Sequence, residues 1–160
     1  MSAEIAKIDL PNLSSIANVL PEGMKDNGIH CSWPFVRCKS GRITELSFYS
    51  SNSIQKVGTL AKEIGLLSKL TSLDIAYNAL TGGIPTELGN LINLEVLSLH
   101  RNALTGPIPS ELANMSNLQD LHLELNALKG PIPSELGNLI NLEGLYLGSN
   151  ELKGPIPSEL

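Results

Sequence analysis

Residues 93–112 read NLEVLSLHRNALTGPIPSEL, and the same pattern recurs on both sides of them. Residues 69–88 read KLTSLDIAYNALTGGIPTEL, residues 117–136 read NLQDLHLELNALKGPIPSEL, and residues 141–160 read NLEGLYLGSNELKGPIPSEL. Asn78, Asn102, Asn126 and Asn150 therefore recur every 24 residues. A fixed period of this length marks a solenoid, in which each copy forms one coil and buries its apolar side only by stacking on its neighbours. One copy alone carries too few aliphatic side chains to offset the entropy of ordering its backbone, so the copies are expected to fold together.

Within each copy the order is L-x-x-L-x-L-x-x-N-x-L-x-G-x-I-P-x-x-L. Its first stretch alternates as a strand does, with Leu97, Leu99, Leu121 and Leu123 inward and the intervening residues outward. Identical strands at a constant period stack into a parallel sheet with one open face. The recurrent Asn sits where the chain must turn, and its amide can satisfy backbone groups that the turn leaves unpaired. Asn78, Asn102, Asn126 and Asn150 are thus expected to form a structural ladder. Gly106 to Pro109 supply a permissive position and then an extended one, which predicts a second, straight edge. Around residues 134–142, Leu136, Leu139 and Leu142 stand three apart, the spacing of a short 3₁₀ or helical return.

Composition narrows the function. The chain has 160 residues and a net charge of -5, and it carries no cluster of Lys and Arg able to neutralise phosphates, which argues against a nucleic-acid partner. No apolar run approaches the length of a membrane span, and the N-terminus lacks the basic start and apolar stretch of a secretion signal. No Gly-rich loop precedes a helix, and no Ser, His and carboxylate set has motif support. The chain is therefore read as no enzyme, with no catalytic residues, no cofactor and no metal.

The spacing resembles the leucine-rich repeat, and the L-x-G-x-I-P segment is similar to its plant-type subclass. The resemblance implies an α/β solenoid: a right-handed coil with a parallel β-sheet on the concave face and short 3₁₀ or helical convex segments. Residues 43–48 look like the strand of a first, irregular repeat, which reaches Leu70 through 27 residues, with Ser51 where the ladder Asn belongs. Upstream, CSWPFVRCKSGRITEL is similar to the N-terminal cap of such proteins, and residues 11–20, with Leu13, Ile16, Ala17 and Leu20 on one face, suit a cap helix. The expected organisation is a cap over residues 1–42 and repeats over residues 43–160. For Cys31 and Cys38 the resemblance implies a cap disulfide; free buried thiols and a zinc site with His30 are the alternatives.

The outward strand positions form lanes, because equivalent residues in adjacent strands lie about 4.8 Å apart. The lanes are Ser72, Val96, Asp120, Gly144; Asp74, Ser98, His122, Tyr146; Ala76, His100, Glu124, Gly148; and Tyr77, Arg101, Leu125, Ser149. They vary between copies while the framework repeats, as a recognition surface would. Asp74, Tyr77, His100, Arg101, Asp120, His122, Glu124, Leu125 and Tyr146 are the candidate ligand-binding residues. His100 and Glu124 share a lane and are read as a solvated ion pair, with His122 diagonal to both. The resemblance implies a non-catalytic module that binds a protein or peptide, as the recognition part of a receptor-like or secreted protein, outside the cell or at its membrane. The alternative is a cytoplasmic assembly scaffold, self-associating through the bare Leu layer at Leu160.

Overall fold

The computed structural model describes Cys31, residues 35–48 and residues 57–160. The expected cap helix over residues 11–20, His30, Trp33 and the Ser51 position lie outside these. Strand β1 (Val36–Lys39) turns through Ser40 and Gly41 into β2 (Arg42–Ser47), antiparallel to it. Both turn residues have positive φ, 51° and 71°, the arrangement of a two-residue hairpin whose twist matches its strands. Cys31 and Cys38 are joined by a disulfide, so neither the free-thiol nor the zinc alternative applies to them. Phe35 and Phe48 pack with ring centroids 4.9 Å apart beside buried Val36 and Ile43.

From β2 onward the chain coils. Each coil contributes one short strand to each of two parallel arrays. The outer array comprises two short sheets, β3 (Val57–Thr59) with β5 (Ala79–Thr81), and β7 (Thr105–Gly106), β9 (Ala127–Gly130) and β11 (Glu151–Leu152), linked by the Ala103 N to Leu80 O and Thr105 N to Gly82 O bonds. The main array comprises β4 (Ser72–Asp74), β6 (Val96–Ser98), β8 (Asp120–His122) and β10 (Gly144–Tyr146), added to the hairpin in the order β1-β2-β4-β6-β8-β10. Register is strict: Leu46 faces Leu73, Leu73 faces Leu97, Leu97 faces Leu121, and Leu121 faces Leu145. The first of these steps spans 27 residues, the longer opening repeat expected from the sequence, and the later ones span 24.

The outer array lies one step before the predicted edge. Pairing runs through Thr105–Gly106 and Ala127–Gly130 and stops at Pro107 and Pro131, because proline has no N–H to extend a ladder. Gly106 and Gly130 turn the chain there with φ of 78° and 86°, in the left-handed region. The return is 3₁₀ in four coils, over Lys62–Leu66, Thr86–Asn90, Ser110–Asn114 and Ser134–Asn138, and among the described residues there is no α-helix. Pro85, Pro109 and Pro133 precede three of these turns in extended geometry. Successive returns pack closely, since a Cβ at Gly65 or Gly89 would run into the carbonyl of Glu87 or Glu111 in the next coil.

The core is a continuous column. Leu73, Ile75, Leu97, Leu99, Leu121 and Leu123 enter it from the sheet, Leu80, Leu104 and Leu128 from the outer array, and Leu88, Leu91, Leu112, Met115, Leu136 and Leu139 from the returns. Burial weakens along the last coil: Leu145, Leu147 and Leu152 are half-buried, and Ile156 is 77% exposed where its equivalent Ile108 is 2%. A coil with a neighbour on one side only leaves half its apolar surface uncovered.

Candidate ligand-binding face

The open face of the main sheet is set by the turn that ends each strand. Tyr77, Arg101, Leu125 and Ser149 hold φ of 57°, 55°, 59° and 56°, left-handed values that cost a non-glycine residue about 1–2 kcal/mol each. The next residue is always the recurrent Asn. Asn102 Nδ2 donates to Ile75 O at 2.9 Å and Leu99 O at 3.0 Å, while its Oδ1 accepts from Leu80 N at 3.0 Å. Asn126 repeats this with Leu99 O, Leu123 O and Leu104 N, and Asn150 with Leu123 O, Leu147 O and Leu128 N. Asn78 donates to Phe48 O, Ile75 O and Ala76 O. The amides do not bond one another; each bridges its own turn to the backbone of the previous coil. This bridging holds the strained turn and aims Tyr77, Arg101 and Leu125 outward at the rim of the face.

Backbone bonds extend the sheet past its short strands, from Tyr77 N to His100 O (3.1 Å), Arg101 N to Glu124 O (3.0 Å) and Leu125 N to Gly148 O (2.9 Å). Side chains in neighbouring lanes consequently meet. Tyr77 and His100 rings make an edge contact at 5.1 Å, His100 and His122 lie 5.8 Å apart, and His122 stacks on Tyr146 at 4.3 Å with planes within 5°. The result is a run of four rings across four coils, diagonal from Tyr77 to His122 and along one lane from His122 to Tyr146. Arg101 covers the outer ring, its guanidinium carbon 5.0 Å from the Tyr77 centroid. Leu125 is 39% exposed, Tyr77 37% and Tyr146 48%, so the rim of this run is open to solvent.

Several lane residues are engaged otherwise than the sequence suggests. Glu124 is paired with His122, Nδ1 to Oε1 at 3.7 Å, and not with His100; both side chains are only 26% exposed, so the pair is not the solvated one expected from the lane. Residues two apart along an extended segment share a face, so His122 is in reach of Glu124 as His100 is, and side-chain rotamers decide between them. Asp74 turns its carboxylate onto its own strand, accepting Ala76 N–H at 3.1 Å. Ala76 and Ser98 are buried and offer little surface. The Asp120 carboxylate occupies the space that a side chain on Gly144 would need, beside the Tyr146 ring. Gly144 is thus part of the face, as the vacancy that lets two larger neighbours close over it. Its signal in sequence was the loss of a side chain in the lane Ser72, Val96, Asp120.

Two leucine-rich repeat models match the chain, over residues 68–128 and 141–160. A chain of the BIR3–SERK2 complex from Arabidopsis thaliana superposes with a TM-score of 0.75 at 36% identity, covering 87% of this chain and 74% of that one. The chain belongs to the leucine-rich repeat family. The leucine-rich repeat ectodomain of the plant membrane receptor kinase GASSHO1/SCHENGEN3 from Arabidopsis thaliana, solved in complex with CASPARIAN STRIP INTEGRITY FACTOR 2, is 42% identical with a TM-score of 0.76. That match covers 81% of this chain and 16% of the ectodomain. The receptor-like kinase TMK4 of Arabidopsis thaliana is 35% identical over 74 residues, which is 46% of this chain and 8% of that protein. This leucine-rich repeat chain therefore spans a small part of TMK4 and of the GASSHO1/SCHENGEN3 ectodomain, and about three quarters of the BIR3–SERK2 chain. Among its described residues no helix is long and apolar enough to cross a membrane.

Proposed function

We propose that this chain is a non-catalytic binding module whose main sheet receives an extended protein or peptide segment, and that it serves as the recognition part of a receptor-like or secreted leucine-rich repeat protein. The observation that carries this reading is the ring run Tyr77, His100, His122 and Tyr146, flanked by Arg101 and Leu125. Aromatic side chains anchor interfaces because they bury large rigid areas, and Arg because its planar guanidinium stacks on rings and pairs with carboxylates. A run that crosses four coils suits an elongated ligand: aromatic or apolar side chains against the rings, a carboxylate against Arg101. The complex of GASSHO1/SCHENGEN3 with CASPARIAN STRIP INTEGRITY FACTOR 2 and that of BIR3 with SERK2 support the same use of this framework. We assign residues 1–42 to a cap and residues 43–160 to the binding array.

The test is a displayed peptide library selected on the intact chain, with captured peptides then measured on the Tyr77→Ala/Arg101→Ala double variant. Loss of two anchors should weaken binding by about 2 kcal/mol or more, roughly thirtyfold, with the melting temperature unchanged. Peptides that hold both proteins equally would remove this face from the binding site.

A further inference from the structure

Beyond peptide recognition, we propose that His100, His122 and Glu124 form a binding site for a divalent transition-metal ion of the zinc class on the open sheet face. Two imidazoles and a carboxylate are the donor types such ions take, and here one ligand atom from each residue lies within 4.8 Å of the other two. His122 ends β8 and Glu124 lies two residues further on, and His100 comes from the preceding coil, tied to theirs by the Arg101 N to Glu124 O bond of 3.0 Å. Two backbones joined by hydrogen bonds hold the three side chains together without help from any mobile segment.

The second observation is independent of proximity. His100 Nδ1 and Glu124 Oε2 are both shielded from solvent and have no hydrogen-bond partner. A structure rarely leaves a shielded ring nitrogen and carboxylate oxygen unsatisfied in one cluster, and a bound cation would satisfy both at once. The surroundings leave that role open. Arg101 lies over Tyr77 and makes no ion pair with Glu124, while His122 is fixed by its stack on Tyr146 with Nδ1 turned 3.7 Å from Glu124 Oε1.

Bonds of about 2.0–2.1 Å in tetrahedral geometry put neighbouring ligand atoms about 3.3 Å apart. The His122 to Glu124 separation of 3.7 Å is already near that, and the widest gap of 4.8 Å closes by about 1.5 Å through rotation of exposed-side χ angles. Three protein ligands leave the fourth position free, directed at the open face. A donor atom of a bound segment would fill it, so the ion is placed to link ligand and receptor face. Metal binding itself requires no such segment.

The experiment uses the full chain, freed of metal with chelator, and Zn²⁺ alone at neutral pH. Isothermal titration should show one ion per chain for the natural sequence and for His30→Gln, which removes the remaining histidine of the three. His100→Gln, His122→Gln and Glu124→Gln should each weaken binding by about tenfold or more. Imidazole signals of the unaltered chain, read by NMR during the titration, should shift for His100 and His122. Absence of Zn²⁺ binding, binding that survives His100→Gln/Glu124→Gln, or signals of His30 alone moving would each overturn the proposal.

Discussion

Replacing Asn102 and Asn126 by Leu, singly and together, isolates the bridging amides more sharply than any single change. Asn102→Leu removes the acceptor of Leu80 N–H, but Ile75 O and Leu99 O each keep a second donor, from Asn78 at 3.2 Å and Asn126 at 3.0 Å. An orphaned donor costs about 1–3 kcal/mol and each lost net bond about 0.5–1.5 kcal/mol. Partial burial of the new Leu offsets some of this, so the single change should cost about 2–4 kcal/mol, or roughly 4–16 °C in melting temperature. Asn126→Leu should cost the same, by the same count at Leu104 N, Leu99 O and Leu123 O. The double variant differs in kind. Leu99 O then loses both of its amide donors, which neither single change does. The double-mutant cycle should therefore show an excess cost of about 1–2 kcal/mol beyond the sum. Asn102→Leu with Asn150→Leu is the control, since those residues share no acceptor and should add within about 0.5 kcal/mol. Urea unfolding followed by far-UV circular dichroism measures all of these. A melting temperature unchanged by Asn102→Leu, or equal coupling in the two pairs, would refute the account.

Three further outcomes follow from particular contacts. Gly89→Ala should destabilise by about 1–3 kcal/mol in urea unfolding, because its Cβ meets the Glu111 carbonyl of the next coil. Leu125→Asn should leave stability unchanged or raise it by up to about 1 kcal/mol, since Asn accepts the left-handed φ of 59° more readily; a clear loss would show that the exposed Leu is held by packing. Thiol labelling of the unfolded chain should find no free cysteine before reduction and both after it, and reduction should cost about 2.5 kcal/mol for a loop closed across a separation of 7 residues. Labelling before reduction would contradict the bridge.

The coil itself was legible because its constant residues act locally and at fixed spacing. Alternate Leu residues, Pro after Ile and the three-residue spacing of the return each state a backbone geometry, and stacking follows from repetition. Less was legible at the hairpin, where the Ser40-Gly41 pair was the available signal, and at the outer array, whose pairing stops at Pro107 and Pro131 one step earlier than the Gly-x-Ile-Pro motif suggests. The lanes of the face could be written down from the period alone. Which side chains meet could not: Glu124 takes His122 as its partner, Asp74 accepts from Ala76 N–H, and the rings step diagonally from Tyr77 through His100 to His122 before His122 stacks on Tyr146 along its lane.

By itself, then, the amino-acid sequence determined the solenoid, its period, its buried column and the recurrent bridging Asn, because these depend on residue type and spacing along the chain. The tertiary structure alone decided the character of the face. Four left-handed turns tilt Tyr77, Arg101, Leu125 and Ser149 out of the sheet, and the empty place at Gly144 admits the Asp120 carboxylate beside Tyr146. Rotamers chosen between adjacent coils leave His100 Nδ1 and Glu124 Oε2 without partners. Side-chain contacts across coils depend on rotation about Cα–Cβ bonds and on the space that a neighbour 24 residues away leaves open, and no periodicity along the chain encodes either.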